Sequence, residues 1–210
     1  LKFDPSQVRA LATLAALLSQ RGEQEEALKI AQRALKVSPK FSILHNNLGL
    51  IYRRSGELDL AEKHYKLAIE DDPRQDAAHV NLAQLYRLQG KEEEAIEQFR
   101  AAVAAKPFYP NAIALANLGV YHFNKNETRK ALAYYVRALR VDPDYAIVHR
   151  YLASIYAMQE YHKPKRAIYH LKRSLELDPD QEGASELSEL LKQAEVSLRP
   201  EQQVSPPEPE

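Results

Sequence analysis

The sequence predicts an all-α solenoid of about five helix pairs followed by one capping helix. Three observations predict it. Prolines recur at Pro39, Pro73, Pro107, Pro143 and Pro179, spaced 34, 34, 36 and 36 residues apart. A small residue stands twelve positions before each of them (Ala27, Ala61, Ala95, Ala131, Ala167) and another five positions before (Ala34, Ala68, Ala102, Ala138, Ser174). Between these blocks lie the octets HNNLGLIY (45–52), HVNLAQLY (79–86), LANLGVYH (115–122) and HRYLASIY (149–156), in the same phase. Self-similarity at a period of this length marks supersecondary units that bury their apolar faces against their neighbours.

The second helix of each unit follows from the proline-flanked block. Ala31, Tyr65, Phe99, Tyr135 and Leu171 fall between the two small residues. Small, large and small at this spacing make one helical face, on which the small residues admit a neighbouring helix and the large one fills the space beyond. The octets supply the first helix. Leu14, Leu48, Leu82, Leu118 and Leu152 share one position, and the next residue is always small: Ala15, Gly49, Ala83, Gly119, Ala153. Tyr52, Tyr86 and Tyr156 come three residues later, with His122 and Leu18 at that place in the fourth and first units.

The turns agree. Gly22, Gly56 and Gly90 fall where each first helix should stop, in the left-handed conformation that glycine adopts without steric cost, and Asn126 takes the place in the fourth unit. The fifth unit carries a turn two residues longer, QEYHKPKR, in which Pro164 is expected in the first turn of the following helix. A second two-residue insertion lies around FYPN, between Pro107 and Gly119.

The resulting organisation is residues 8–41, 42–75, 76–109, 110–145 and 146–181 as five repeats, 182–197 as the capping helix and 198–210 as a Pro-rich, acidic tail expected to be disordered. In the capping helix Leu187, Leu190, Leu191 and Val196 are expected to cover the last repeat. Residues 1–7 resemble the end of a unit, since Pro5 lies 34 residues before Pro39. They are read as the remnant of an upstream repeat.

Composition narrows the function. Lys+Arg and Asp+Glu are 29 each, a net charge of zero, which argues against a nucleic-acid binder with its basic excess. Cysteine is absent, so there is no thiol nucleophile, cysteine metal site or disulfide framework, and the compartment stays open, the cytoplasm being favoured over the periplasm. No apolar run approaches the ~18 residues of a membrane span, so direct membrane insertion is not expected. Seven histidines invite a metal or catalytic reading. His45, His79 and His149 occupy one repeat position, however, so they should be spread along the solenoid as packing residues. No glycine-rich phosphate loop, HExxH or GxSxG is present. Neither an enzyme active site, a cofactor nor a metal is expected.

The unit NNLGLIYRRSGELDLAEKHYKLAIEDDP (46–73) resembles a tetratricopeptide repeat, whose pattern of large residue, Leu-Gly, Tyr, Ala, Phe or Tyr, Ala and Pro recurs five times over residues 8–179. The resemblance implies antiparallel helix pairs in a right-handed superhelix with a concave groove. It also implies that residues 2, 6, 9 and 13 of each unit, with 5 and 12 beside them, face that groove, while 4, 7, 8 and 11 pack. Asn47, Asn81 and Asn117 then fall at position 6 of three consecutive units, similar to the asparagine ladder of the O-linked N-acetylglucosamine transferases. An amide side chain has both donors and an acceptor, so such a row can hold an extended peptide whatever its sequence. Asn46, Arg53, Arg54, Arg87, Asn124, Arg150 and Tyr151 complete the expected peptide-binding set, the arginines favouring acidic segments. Thr13 and Tyr151 replace asparagine in the outer units. Two readings of the row stand side by side: a peptide ladder, or asparagines that bond the adjacent repeat or solvent. The family's carboxylate clamp for chaperones matches only at Asn47.

The function expected is a non-catalytic protein-interaction scaffold with a protein or peptide partner in the groove. The alternative is a substrate-recruiting or regulatory domain of a larger enzyme. Self-association through exposed repeat faces is a third expectation.

Overall fold

The computed structural model describes residues 5–158 and 160–197. Leu1–Asp4 and the tail 198–210 lie outside them, and with them most of the upstream-remnant reading and all of the tail reading. Among the described residues there are eleven helices and no strand. The helices are α1 (Pro5–Gln20), α2 (Gln24–Val37), α3 (Ser42–Arg54), α4 (Leu58–Asp71), α5 (Asp76–Leu88), α6 (Glu92–Ala105), α7 (Ala112–Asn124), α8 (Thr128–Val141), α9 (Ala146–Ala157), α10 (Pro164–Leu177) and α11 (Ala184–Ser197). They are the helix pairs of an all-α solenoid with one further helix at the end. The chain divides into two compact units, Leu1–Ala114 and Leu115–Glu210.

The first unit holds α1 to α6 and the start of α7. Within it α1 packs on α2, α3 on α4 and α5 on α6, and the first helices α1, α3 and α5 also meet in sequence. Its core is built from the repeat positions: Val8, Ala12 and Ala15 from α1, Ala27, Ala31 and Ala34 from α2, and Leu44, Leu48 and Ile51 from α3 are all buried. The second unit repeats the scheme with α9 on α10, and α11 leans on α10.

The turns close as the residue types require. Gly22, Gly56 and Gly90 have φ of 87°, 81° and 75°, and Asn126 has 59°. In each case the next residue's N–H reaches back five residues to the last turn of the first helix, as in Glu23 N to Leu18 O, Glu57 N to Tyr52 O, Lys91 N to Tyr86 O and Glu127 N to His122 O, all 2.9 Å. These bonds satisfy carbonyls that the helix end leaves without a partner. In the fifth repeat the same bond runs from Lys163 N to Tyr156 O at 3.0 Å, seven residues apart, so the two inserted residues are absorbed inside the turn. His162 supplies the left-handed residue there, at φ 35°, and Pro164 opens α10.

Packing between the helices of a pair explains the alternation of glycine and alanine after the shared leucine. A Cβ on Gly49 would stand 2.5 Å from Cδ1 and Cε1 of the fully buried Tyr65, and one on Gly119 2.5 Å from Cε1 of Tyr135. Alanine occurs instead where the facing position holds Phe99 or Leu171. The capping helix covers less than its pattern promises: Leu187 and Leu191 are half-buried, but Leu190 and Val196 are 54% and 85% exposed.

Candidate binding face of the first helices

In the first unit the consecutive first helices are tied together by side chains at the positions in question. Asn47 donates Nδ2–H to the Ala12 carbonyl at 3.0 Å, and Asn81 donates Nδ2–H to Asn46 Oδ1 at 2.8 Å. Position 6 of one repeat therefore bonds position 5 of the repeat before it. Arg53 donates to Gln84 Oε1 and Arg54 to Ser19 Oγ, both at 3.1 Å. Four side chains thus stitch α1 to α3 and α3 to α5 on one surface. An asparagine amide has two N–H groups and an acceptor oxygen. At Asn47 and Asn81 one N–H is spent on the neighbouring repeat, while each side chain stays half-exposed.

Position 5 does not line this face. Ala12 and Asn46, at that position, are 0% and 6% exposed, and Val80 and Ala116 are also buried. In the first unit α1, α3 and α5 pack in sequence through that row, which encloses Ala12 and Asn46, whereas Arg150, at the same position in the fifth repeat, stays half-exposed. Asn46, a member of the expected set, is thus enclosed, and its amide oxygen accepts the Asn81 N–H. Arg53 is half-buried, and Arg54 and Arg87 are exposed. Gln84 and Ser19 join the face as partners of the arginines. Their signal in the sequence was only that they are polar residues at repeat positions 9 and 12.

In the second unit Tyr151, at position 6, lies flat on the buried Tyr135, with centroids 5.2 Å apart and rings inclined by 5°, and also meets Phe123 at 6.2 Å. Tyr151 is therefore as much a packing residue as a surface one. Arg150 donates to the Glu182 carbonyl at 3.3 Å, which ties α9 to the segment before α11. Asn117 is half-buried on α7, and Asn124 is exposed at its end.

The histidine row is a second recurring network, away from this face. Nε2 of His45, His79 and His149 lies 3.0, 3.1 and 2.9 Å from the carbonyl oxygens of Pro39, Pro73 and Pro143, each six residues earlier. A carbonyl only accepts, so Nε2–H must donate, and in the neutral ring Nδ1 is the acceptor. His64 and His170 meet that acceptor through their own Nδ1, at 3.0 and 2.8 Å, and so carry the proton there. At His79 the partner is the Gln98 side-chain amide at 2.8 Å, which donates to Nδ1 when its interchangeable N–H₂ end takes the place of Oε1. Each histidine thus anchors the turn that ends the preceding repeat to both helices of its own pair. Burial, with the neighbouring His45 and Lys63, pushes the His64 imidazole down to about 4. Burial also lowers His149, against the opposing bond to Pro143, with His170 and Arg173 adding to the depression. Among the described residues no three histidine, cysteine or carboxylate side chains come together to hold a metal ion. None of the described helices is long and apolar enough to cross a membrane.

Family models described as Tetratricopeptide repeat match residues 8–38, 41–107, 74–144 and 116–182. No curated protein sequence matches the chain. Among solved structures, that of Pseudomonas aeruginosa PilF superposes with a TM-score of 0.70 at 19% identity, covering 91% of this chain and 93% of that one. PilW, a type IV pilus biogenesis factor, gives 0.70 at 20% identity, covering 92% and 88%. YrrB, described as having an unusual peptide-binding site, gives 0.59 at 19% identity, covering 87% and 90%. At these identities the likeness is one of fold.

Proposed function

This chain belongs to the tetratricopeptide repeat family, and we propose that it is a non-catalytic scaffold that holds an extended peptide against the first-helix face. The observation that carries this reading is the pair Asn47 and Asn81. One N–H of each amide is fastened to the preceding repeat, which fixes the side chain's orientation. The other N–H and, at each residue, Oδ1 stay on a half-exposed surface. A polar group held in one orientation loses little freedom when a ligand arrives, so more of each new hydrogen bond appears as affinity. A peptide backbone offers N–H and C=O groups at every residue, which is the complement such a row needs. Arg54 and Arg87 stand exposed on the same helices and favour acidic segments. Asn117 and Tyr151 hold the corresponding position in the second unit, Tyr151 as an aromatic surface rather than an amide. The peptide-binding site ascribed to YrrB supports the class of ligand, not its identity.

The test is selection of linear peptides from a random display library on the intact chain, followed by titration of the selected peptides. Asn47→Ala and Asn81→Ala should each weaken binding by about fivefold to tenfold, the worth of one hydrogen bond of ~1 kcal/mol or slightly more. Circular dichroism should report helical content unchanged. Peptides that bind both variants as well as the parent would refute this placement of the site.

A further inference from the structure

Two apolar features are left over once the first-helix face is described. One is a tip and the other is a pocket. We infer that the Phe108–Tyr109 tip of one copy seats in the pocket between α9, α10 and α11 of a second copy, so that the chain associates head to tail.

The tip is the two-residue insertion between α6 and α7. Phe108 is 92% exposed and Tyr109 83% exposed, between Pro107 and Pro110. A loop with two large aromatic side chains would ordinarily fold them down, since burial of each removes ~150–250 Å² from water. Here the loop is held open from below by Asp76. Lys106 Nζ reaches Asp76 Oδ1 at 2.5 Å from one end of the loop, and Asn111 Nδ2 donates to Asp76 Oδ2 at 2.9 Å from the other. Asn111 Oδ1 accepts the Ile113 and Ala114 amides at 3.0 and 3.3 Å, which starts α7. Tyr109 N closes the turn onto Lys106 O at 3.2 Å. Burial alone would raise the Asp76 carboxyl, but the bonds from Asn111 and Lys106 hold it below the usual carboxylate range, so the clamp stays ionised. Prolines on both sides and a clamp beneath make the tip preorganised, the condition under which a small contact can hold a partner.

The pocket exists because α11 only leans on the last helix pair. None of the described side chains of α11 is buried, and several facing positions on α9 and α10 (Ala153, Ser154, Ala157 and Ala167) are small. The cavity measures about 370 Å³ and is lined chiefly by Ala153, Ala157, Ala167, Leu171, Leu187 and Leu190. That is room for aromatic side chains, in an apolar setting. Arg150 also lines it, a cation suited to an aromatic face.

The occupant is a second copy because every copy carries both halves of the contact. The net charge of zero sets no long-range repulsion between copies. A contact between different surfaces leaves one tip and one pocket unused, so it can propagate. Two aromatics bury far less than the ~1,200–2,000 Å² of stable complexes, so the association is weak and appears at high protein concentration.

Sedimentation equilibrium on the intact chain, from low to high micromolar, should show an average mass that rises with concentration. Phe108→Ser/Tyr109→Ser removes the tip, and Ala157→Phe fills the pocket from an exposed position, so neither disturbs the buried core. Each should lower the association constant by about tenfold or more, with helical content unchanged. Mixed, the two variants should form a one-to-one complex and nothing larger, because the tip variant keeps its pocket and the pocket variant keeps its tip. Three results overturn the proposal: a monomer mass at every concentration, association that survives both changes, or a mixture that behaves as the sum of its parts. Peptide binding at Asn47 and Asn81 should be unaffected by either variant, which separates this contact from the first-helix face.

Discussion

Gly49→Ala tests the packing rule that joins the two helices of each repeat. The added Cβ would lie 2.5 Å from two carbons of the Tyr65 ring and 3.0 Å from a third. Carbon atoms sit comfortably at ~3.5–4.0 Å, so the ring must retreat by about 1 Å. Tyr65 is completely buried, and there is no slack for that movement. Overpacking of this kind costs ~1–3 kcal/mol, while exchanging glycine for alanine inside a helix gains about 1 kcal/mol. The balance is a loss of up to about 2 kcal/mol, or several degrees in the unfolding midpoint at about 2–4 °C per kcal/mol for a chain of this size. The companion change Tyr65→Phe should cost little or even stabilise, because the Tyr65 hydroxyl is buried without a hydrogen-bond partner and burial pushes it up to about 12. The double variant recreates the alanine and phenylalanine found at Ala83 and Phe99. It should recover most of the loss, so the two changes should be strongly non-additive. The assay is thermal and urea unfolding followed by circular dichroism. If Gly49→Ala raises the midpoint and the two changes simply add, the close approach does not limit the fold and the reasoning fails.

Three further outcomes are expected. Because His64 is held at about 4 in the folded chain against about 6.5 for a free imidazole, and His149 is lowered as well, folding favours the neutral rings. This stability is intact above pH 6.5 and drains as the pH falls towards 4, so unfolding midpoints should drop over that window, and His64→Gln, which copies Gln98, should flatten the drop. His79→Leu, which copies Leu115, removes the donor to the Pro73 carbonyl and should cost ~1–3 kcal/mol in urea unfolding if that carbonyl is left unsatisfied. Asp76→Ala releases both ends of the Phe108–Tyr109 loop, so hydrogen exchange at Tyr109 and Ile113 should accelerate while the amides within α6 stay protected.

Much of the fold was legible because it rests on patterns that repeat. Proline spacing, the small residues twelve and five positions before each proline, and the glycine or asparagine at each turn located the helix pairs. The left-handed φ of Gly22, Gly56, Gly90 and Asn126 followed from residue type alone. The left-handed His162 did not, since histidine has no special claim on that conformation and only the length of the turn forces it. The candidate face was legible in phase but not in partnership. Helical periodicity places Asn46 beside Asn47, yet whether position 5 faces solvent depends on how closely consecutive first helices approach. That distance is set by tertiary packing, and it buries Asn46 at 6% exposure. His45, His79 and His149 are spread one per repeat and buried within their helix pairs, as their spacing implied. Their bond to a proline carbonyl six residues back was invisible, because it depends on the turn bringing that carbonyl over the ring.

The recurrence of asparagine at position 6 has a physical cause that does not require choosing between packing and recognition. A leucine there would pack but would give up the second bond to the Ala12 carbonyl, which α1 already engages through its own ladder, and would leave the Asn46 amide oxygen without its donor, at a cost comparable to a lost hydrogen bond. A serine or threonine would supply only one donor, and the donor spent on the neighbour would leave none facing outward. Thr13, in the first repeat, shows this economy: its hydroxyl donates to the Arg9 carbonyl on its own helix. Asparagine is the short neutral side chain with two donors and an acceptor, so one residue type can tie a repeat to the one before it and still present a polar edge. The same logic explains why Tyr151 ends the row in the fifth repeat. There the ring stacks on Tyr135 and secures the junction by area instead of by a hydrogen bond. The stitch is kept at each of these junctions, and the outward donor is kept only where the stitch is an amide.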